Sequence, residues 1–174
     1  MKPYILRPLH LVACGLLLFL SACGNDDDDT VQPPATPQEE TLVGNKEKPA
    51  WQNPAEQDLT VSMTAIIRVN LNLTYPQQMA ALSNSSTNGQ ISDANDMLAA
   101  FSGETCLGVA QFVDGLFFLY IACPPKDAPQ TIDLRYYSAT LKNIFVAKEV
   151  CAFVADTSQG SVSTPLEPKF LKTD

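Results

Sequence analysis

The chain has 174 residues, with 19 acidic and 11 basic side chains, 5 cysteines and a single histidine. Its length allows one domain once the ends are set aside. The acidic balance argues against nucleic acid as a partner, because binding to nucleic acid needs a basic surface.

Residues 1–22 have the pattern of a secretory leader. Lys2 and Arg7 form a positive start, and residues 11–20 are an apolar stretch too short to span a bilayer. Cleavage of this leader would leave nine basic and 19 acidic side chains, a net charge of −10. It would also remove His10, the only histidine. We therefore expect no Ser-His-Asp or Cys-His nucleophile and no histidine metal site.

The leader ends Leu20-Ser21-Ala22-Cys23, which resembles the lipobox of bacterial lipoproteins. The resemblance implies cleavage before Cys23 and acylation of Cys23, and several acyl chains anchor a protein stably to a membrane. An uncleaved anchor is the alternative, and the short apolar stretch disfavours it. We expect residues 1–22 to be a lipoprotein signal peptide and Cys23 to be the contact with the membrane.

Four aspartates follow the lipidation motif closely: Asp26, Asp27, Asp28 and Asp29. Acidic residues at this position resemble the export signal that sends some Gram-negative lipoproteins to the outer face of the outer membrane. A solvated charge run in a linker is the alternative interpretation. Adjacent carboxylates in a flexible chain lack the spaced geometry of a calcium loop, so we predict no metal site there. The resemblance implies an outer-membrane protein exposed at the cell surface.

Residues 30–50 are rich in proline, glutamine, glutamate, threonine and lysine and show no hydrophobic periodicity. Such a composition is typical of a disordered tether. We therefore divide the chain into a signal peptide (1–22), a lipidated acidic and proline-rich tether (23–50) and a folded domain (51–174).

The folded domain reads as many short strands. Apolar and polar residues alternate over residues 59–73, which predicts a long half-buried strand. Residues 76–82 could form one or two helical turns, and further short strands are predicted at 131–138, 144–146, 150–155 and 166–171. This pattern predicts an all-β fold, a sandwich of about 7–8 antiparallel strands.

A hairpin over residues 97–123 is predicted to lie at its centre. Asp114-Gly115 separates two apolar runs and is typical of a two-residue hairpin turn. If the pairing runs outward from this turn without interruption, Cys106 and Cys123 face each other at a non-hydrogen-bonded site, where Cα atoms approach to about 4.5 Å. This separation suits a disulfide. We expect a Cys106–Cys123 bridge, with Cys151 as a rival partner for either cysteine.

Residues 96–110 read D-M-L-A-A-F-S-G-E-T-C-L-G-V-A and are followed by Phe117-Phe118-Leu119 and by the run 134–137, L-R-Y-Y. This combination resembles a recurring module of lipoproteins and multidomain secreted proteins in Gram-negative anaerobes. The resemblance covers about residues 51–170, implies an immunoglobulin-like sandwich and carries over no catalytic residue. Leu107 departs from the module, which commonly has a basic residue after the cysteine.

The predicted strands offer one group of candidate binding residues. Phe118 and Tyr120 project from one face of the hairpin, and Arg135 and Tyr137 from the next strand. Aromatic side chains near polar groups suit glycan stacking or protein hot spots, although the same residues could be covered core. We expect a non-catalytic binding or adhesion module for a glycan or protein ligand.

The alternative is a structural accessory lipoprotein of a larger outer-membrane surface assembly, which would offer a sheet edge for strand addition. An enzyme is disfavoured because no pair of acidic residues stands out. No cofactor and no catalytic residue are predicted.

Overall fold

A computed structural model describes residues 41–55, 60–83 and 92–173. The predicted signal peptide, Cys23 and the aspartates from Asp26 to Asp29 lie outside the described residues. The described residues contain nine strands and one α-helix. They are β1 (Val61–Ile67), α1 (Pro76–Ser83), β2 (Met97–Ser102), β3 (Thr105–Val109), β4 (Gln111–Val113), β5 (Leu116–Cys123), β6 (Thr131–Ser138), β7 (Asn143–Ala152), β8 (Ser158–Gln159) and β9 (Leu171–Lys172).

The strands form two sheets. Sheet A has the order β4-β5-β1-β8, and sheet B has the order β3-β2-β6-β7-β9. Every pairing is antiparallel except that of β1 with β8. The predicted all-β sandwich is therefore confirmed in its broad form: the described residues are mostly β, in two largely antiparallel sheets that are consistent with a β-sandwich.

One hydrophobic core receives side chains from both sheets. Met63 and Ile67 of β1 and Leu119 of β5 enter it from sheet A, and Leu134 and Phe145 enter it from sheet B. In β1 the buried residues alternate with more exposed ones, as the sequence pattern predicts. The opposite face of sheet A therefore points away from this core.

The strand predicted over residues 59–73 ends at Ile67, earlier than expected. A short 3-10 helix, Leu71–Leu73, follows it because the Asn70 side chain accepts a hydrogen bond from the Asn72 backbone N–H. The predicted helical turns are confirmed as α1. Within the described ranges, no helix is long and apolar enough to span a membrane.

The central hairpin is confirmed only near its turn. Asp114 and Gly115 have φ angles of 50° and 80°, and three residue pairs follow in the predicted register, from Val113–Leu116 to Gln111–Phe118. Beyond Gln111 the predicted register is wrong. There the chain crosses to sheet B, where β3 pairs with β2 through a second tight turn at Gly103, whose φ angle is 59°.

The predicted Cys106–Cys123 disulfide is also wrong, because it depended on that register. Cys106 lies opposite Phe101 in sheet B, and Cys123 lies opposite Val61 in sheet A. Cys106, Cys123 and Cys151 are all free thiols. Burial raises the pKa of each of them, which keeps them protonated and unreactive at neutral pH.

We expect excess dithiothreitol to leave the thermal unfolding midpoint of the folded domain unchanged. A disulfide would contribute about 2–4 kcal/mol, so its reduction would lower the midpoint measurably. Differential scanning fluorimetry with and without the reductant measures this difference. A clear fall on reduction, accompanied by missing thiols in a titration of the denatured chain, would contradict the free-thiol assignment.

Residues 41–55, here called the N-terminal strap, pack against the domain. Leu42 is buried, and its carbonyl accepts a hydrogen bond from Asn143 Nδ2 at 3.2 Å. The Lys46 ammonium donates to Thr173 Oγ1 at 3.0 Å. Composition predicts a tether that extends through residue 50, whereas residues 41–50 pack against the domain and the folded part of the chain begins before Trp51.

Candidate functional site

The outer face of sheet A carries the exposed aromatic residues. Strand alternation turns Phe118 and Tyr120 of β5 away from the core, and the pairing with β1 sets Ile66 beside Phe118 and Thr64 beside Tyr120. On the other side of Phe118 lies Gln111 of β4. Phe118 is half-buried, whereas Tyr120 is 57% exposed. Two of the three predicted aromatic residues, Phe118 and Tyr120, therefore lie on one surface.

Flanking residues turn this surface into a cleft of about 580 Å³, which we call the sheet A cleft. Leu107 and Val109 of β3 form a wall of this cleft, and Asn53 and Pro54 of the N-terminal strap line it as well. Asn53 Oδ1 accepts a hydrogen bond from the Val109 backbone N–H at 2.7 Å. This bond fastens the strap to β3 beside the cleft.

Gly108 allows β3 to approach β5 at the side of the cleft. A Cβ atom added to Gly108 would lie 2.0 Å from the Tyr120 carbonyl oxygen and 3.1 Å from its carbon. No side chain other than hydrogen fits at that distance. Because position 108 has no side chain, the backbone of β3 can lie directly against the backbone of Tyr120.

None of the described residues that line the sheet A cleft is acidic or basic. Among the described residues, neither the Thr64 hydroxyl nor the Gln111 carboxamide has a hydrogen-bond partner in the structure. The described lining can therefore offer hydrogen bonds and an aromatic surface to a ligand.

Arg135 lies on the other sheet and does not contribute to the cleft. Its guanidinium donates to both carboxylate oxygens of Glu104, at 3.0 and 2.7 Å, and to the Gly103 carbonyl at 2.7 Å. The same group lies over the Phe101 ring, 4.1 Å from its centroid. These hydrogen bonds lower the pKa of Glu104. Arg135 therefore fastens the turn between β2 and β3 to β6.

Tyr137 is buried and is also separated from the cleft. It belongs to sheet B, and its hydroxyl donates to the Lys46 carbonyl of the N-terminal strap at 3.4 Å. The structure thus brings together Phe118 and Tyr120 of the predicted binding residues, and it places Arg135 and Tyr137 in structural contacts elsewhere.

Asp96 is a buried carboxylate with a structural role that sequence reasoning missed. Its Oδ2 accepts hydrogen bonds from the Tyr136 hydroxyl at 2.5 Å and the Asp93 N–H at 3.0 Å, and its Oδ1 accepts one from the Ala139 N–H at 2.7 Å. Burial raises its pKa, against the opposing effect of these donors. Asp96 joins the start of β2 to the end of β6. The signal for this role in the sequence was the position of Asp96, directly before a strand.

In the described parts of the chain, no group of three or more histidine, cysteine or acidic side chains is arranged to hold a metal ion. The fold and the cleft together define a mostly-β, two-sheet domain with an aromatic cleft whose described lining carries no charged side chain. Comparison with protein-family models, with curated proteins and with solved structures gave no match.

Proposed function

We propose that this protein is a surface-anchored lipoprotein that binds an uncharged glycan or protein ligand, without catalysis, in the sheet A cleft. The observation that carries the proposal is the exposure of Tyr120, 57% of whose surface faces solvent beside Phe118 in a walled cleft. An exposed aromatic surface in a concave site with few polar groups is typical of a binding site.

The anchor is the second part of the proposal. The lipobox at Cys23 and the acidic residues Asp26 to Asp29 support lipidation and display on the outer membrane. Because the described residues from 41 onward pack against the domain, the tether that we propose ends by residue 40. Fully extended, it would hold the domain at most about 65 Å from the lipid surface.

We also propose that the fold is an immunoglobulin-like sandwich. Two largely antiparallel sheets that share one core support this assignment, and residues 97–101 of the D-x-L-A-A-F motif lie on β2. The hydrogen bonds of Asp96 give the first residue of that motif a structural role.

The alternative role, an accessory protein that joins an assembly by strand addition, has less support. Of the described strands at the sheet edges, β4 has three residues and β8 and β9 have two each. Asn53 already occupies the Val109 N–H of β3. The longer β7 is bulged at Glu149, whose φ angle is 49°. Short, capped and bulged edges resist pairing with another chain.

We expect Tyr120→Ala to weaken ligand binding by at least about tenfold, because it removes the exposed ring from the centre of the cleft. The test screens the chain from Gly24 onward against uncharged oligosaccharides and neutral peptides, and compares the variant with the unaltered chain by titration calorimetry.

Val162→Ala is the matched control for this variant. Val162 is 62% exposed and does not line the cleft, so its truncation should leave binding unchanged. Equal affinity of Tyr120→Ala and Val162→Ala for every ligand found would contradict the cleft as the binding site.

A further inference from the structure

We infer that the sheet A cleft takes a neutral saccharide, one sugar ring of which stacks on Tyr120 while its hydroxyl groups bond to Thr64 and Gln111. This inference rests on the proposed function and narrows it from uncharged ligands in general to one chemical class. It assigns roles to Thr64 and Gln111, neither of which the sequence analysis identified.

The first step concerns charge. The cleft has no acidic or basic side chain among the described residues that line it, and the chain as a whole has a net charge of −8. An anionic sugar, a nucleotide or a phosphorylated peptide would meet no cation in the cleft and an unfavourable overall field. A cationic ligand would meet no carboxylate there. The described lining therefore favours an uncharged occupant.

The second step concerns the aromatic surface. Phe118 and Tyr120 are next-nearest neighbours on one strand, so their side chains stand about 7 Å apart on the same face. A pyranose ring presents a face of C–H groups that packs against an aromatic ring, and its hydroxyl groups remain at the rim in water. Tyr120 suits this mode of contact because its ring is exposed and its hydroxyl lies at the wet end.

The third step concerns the unpaired polar groups. Thr64 lies directly opposite Tyr120, and Gln111 lies directly opposite Phe118. Side chains in directly opposite positions have Cβ atoms about 4.5–5.5 Å apart, so each polar group borders an aromatic ring. A purely apolar occupant would strip water from both groups without replacing their hydrogen bonds. A polyhydroxylated ring supplies donors and acceptors to both.

The fourth step concerns a peptide that binds by its backbone. Such a peptide needs free N–H and C=O groups along an edge, and at the cleft the Val109 N–H already donates to Asn53, which disfavours pairing with β3. The cleft volume of about 580 Å³ lies within the usual range of small-ligand sites and accommodates a short oligosaccharide.

The test is an NMR titration of the 15N-labelled chain from Gly24 onward with neutral trisaccharides that represent hexose, pentose, deoxyhexose and N-acetylhexosamine units. We expect at least one of them to shift the Gln111 side-chain amide and the backbone amides of Thr64, Phe118 and Tyr120. Sialyllactose and its neutral carboxyl methyl ester provide a pair of nearly equal size that differ in charge, and the anionic sugar should bind no more tightly than the ester.

Three variants separate stacking from folding. Tyr120→Ala should weaken saccharide binding by at least about tenfold, and Tyr120→Phe, which keeps the ring, by much less. Gln111→Ala changes an exposed side chain and should weaken binding by about two- to tenfold without altering stability. Two results would overturn the inference. One is tighter binding of anionic sialyllactose than of its neutral ester, and the other is unchanged binding by both Tyr120→Ala and Gln111→Ala.

A set of uncharged capped tripeptides, titrated in parallel, distinguishes failure of this inference from failure of the proposed function. Peptide-induced shifts in the cleft, with no saccharide bound, would overturn the saccharide assignment and keep the cleft as a binding site. No shift in the cleft with either class would overturn both.

Discussion

Replacing Gly108 with alanine should destabilise the domain by about 3 kcal/mol or more. The new methyl group would lie 2.0 Å from the backbone oxygen of Tyr120, far inside van der Waals contact. The obstacle is backbone in the middle of a strand, so it cannot rotate away as the end of a side chain can. β3 would have to move off β5, and overpacking of this kind costs about 1–3 kcal/mol or more. Urea denaturation measures the loss.

Gly103→Ala is the matched control for this experiment. Gly103 has a φ angle of 59°, but no atom lies within 4 Å of its would-be Cβ. Its replacement should therefore cost only the conformational penalty of about 1–2 kcal/mol. A Gly108→Ala protein that is as stable as Gly103→Ala would show that β3 and β5 are not in close contact. Leu107 and Val109 of β3 would then not form a wall of the cleft.

Replacing Asp96 with alanine is expected to lower the free energy of unfolding by about 3 kcal/mol. The change removes the acceptor of three hydrogen bonds and leaves the Tyr136 hydroxyl and two backbone N–H groups without it. Buried donors that lose their partner cost about 1–3 kcal/mol each, partly offset here because a buried charge is also removed. Guanidinium denaturation at neutral pH measures the change.

Asp93→Ala separates the role of Asp96 from that of acidic residues in this turn. The Asp93 side chain accepts a hydrogen bond from the exposed Asn95 N–H, so its loss should cost below about 1 kcal/mol. Tyr136→Phe should fall between the two, since it removes one donor and leaves the carboxylate bonded to the backbone of Asp93 and Ala139. Equal stability of the two aspartate variants would refute the assigned role of Asp96.

Local chemistry made part of this fold predictable. Asp114-Gly115 specifies its turn by itself, and the three pairs next to it follow directly. The register farther out failed because Gly103 supports a second turn, and β2 competes with β5 for the strand that begins at Thr105. A sequence shows that both turns are possible, but the outcome depends on how the two sheets share the core.

The candidate site, like the fold, could be predicted from the sequence only in part. Alternation along β5 identifies Phe118 and Tyr120 as a pair on one face. Thr64 joins them only through the pairing of β1 with β5, which no local signal determines. Asn53 is still harder to foresee, because it bonds to Val109 across 56 positions of the chain.

The N-terminal strap shows why composition alone misplaced the start of the domain. Residues 41–50 have no hydrophobic periodicity, and single contacts hold them in place, such as those of Leu42 and Lys46. The same contacts explain why Tyr137, which alternation turns away from the core, is covered: the strap lies over it and accepts its hydrogen bond.

The crystal structure of the chain from Gly24 onward, grown with the saccharide that gives the largest NMR shifts, tests the central claim most directly. The account predicts a sugar ring stacked on Tyr120, with hydroxyl groups within hydrogen-bond distance of Thr64 Oγ1 and the Gln111 carboxamide. A saccharide bound away from sheet A, or a Tyr120 ring covered by the protein's own chain, would contradict it.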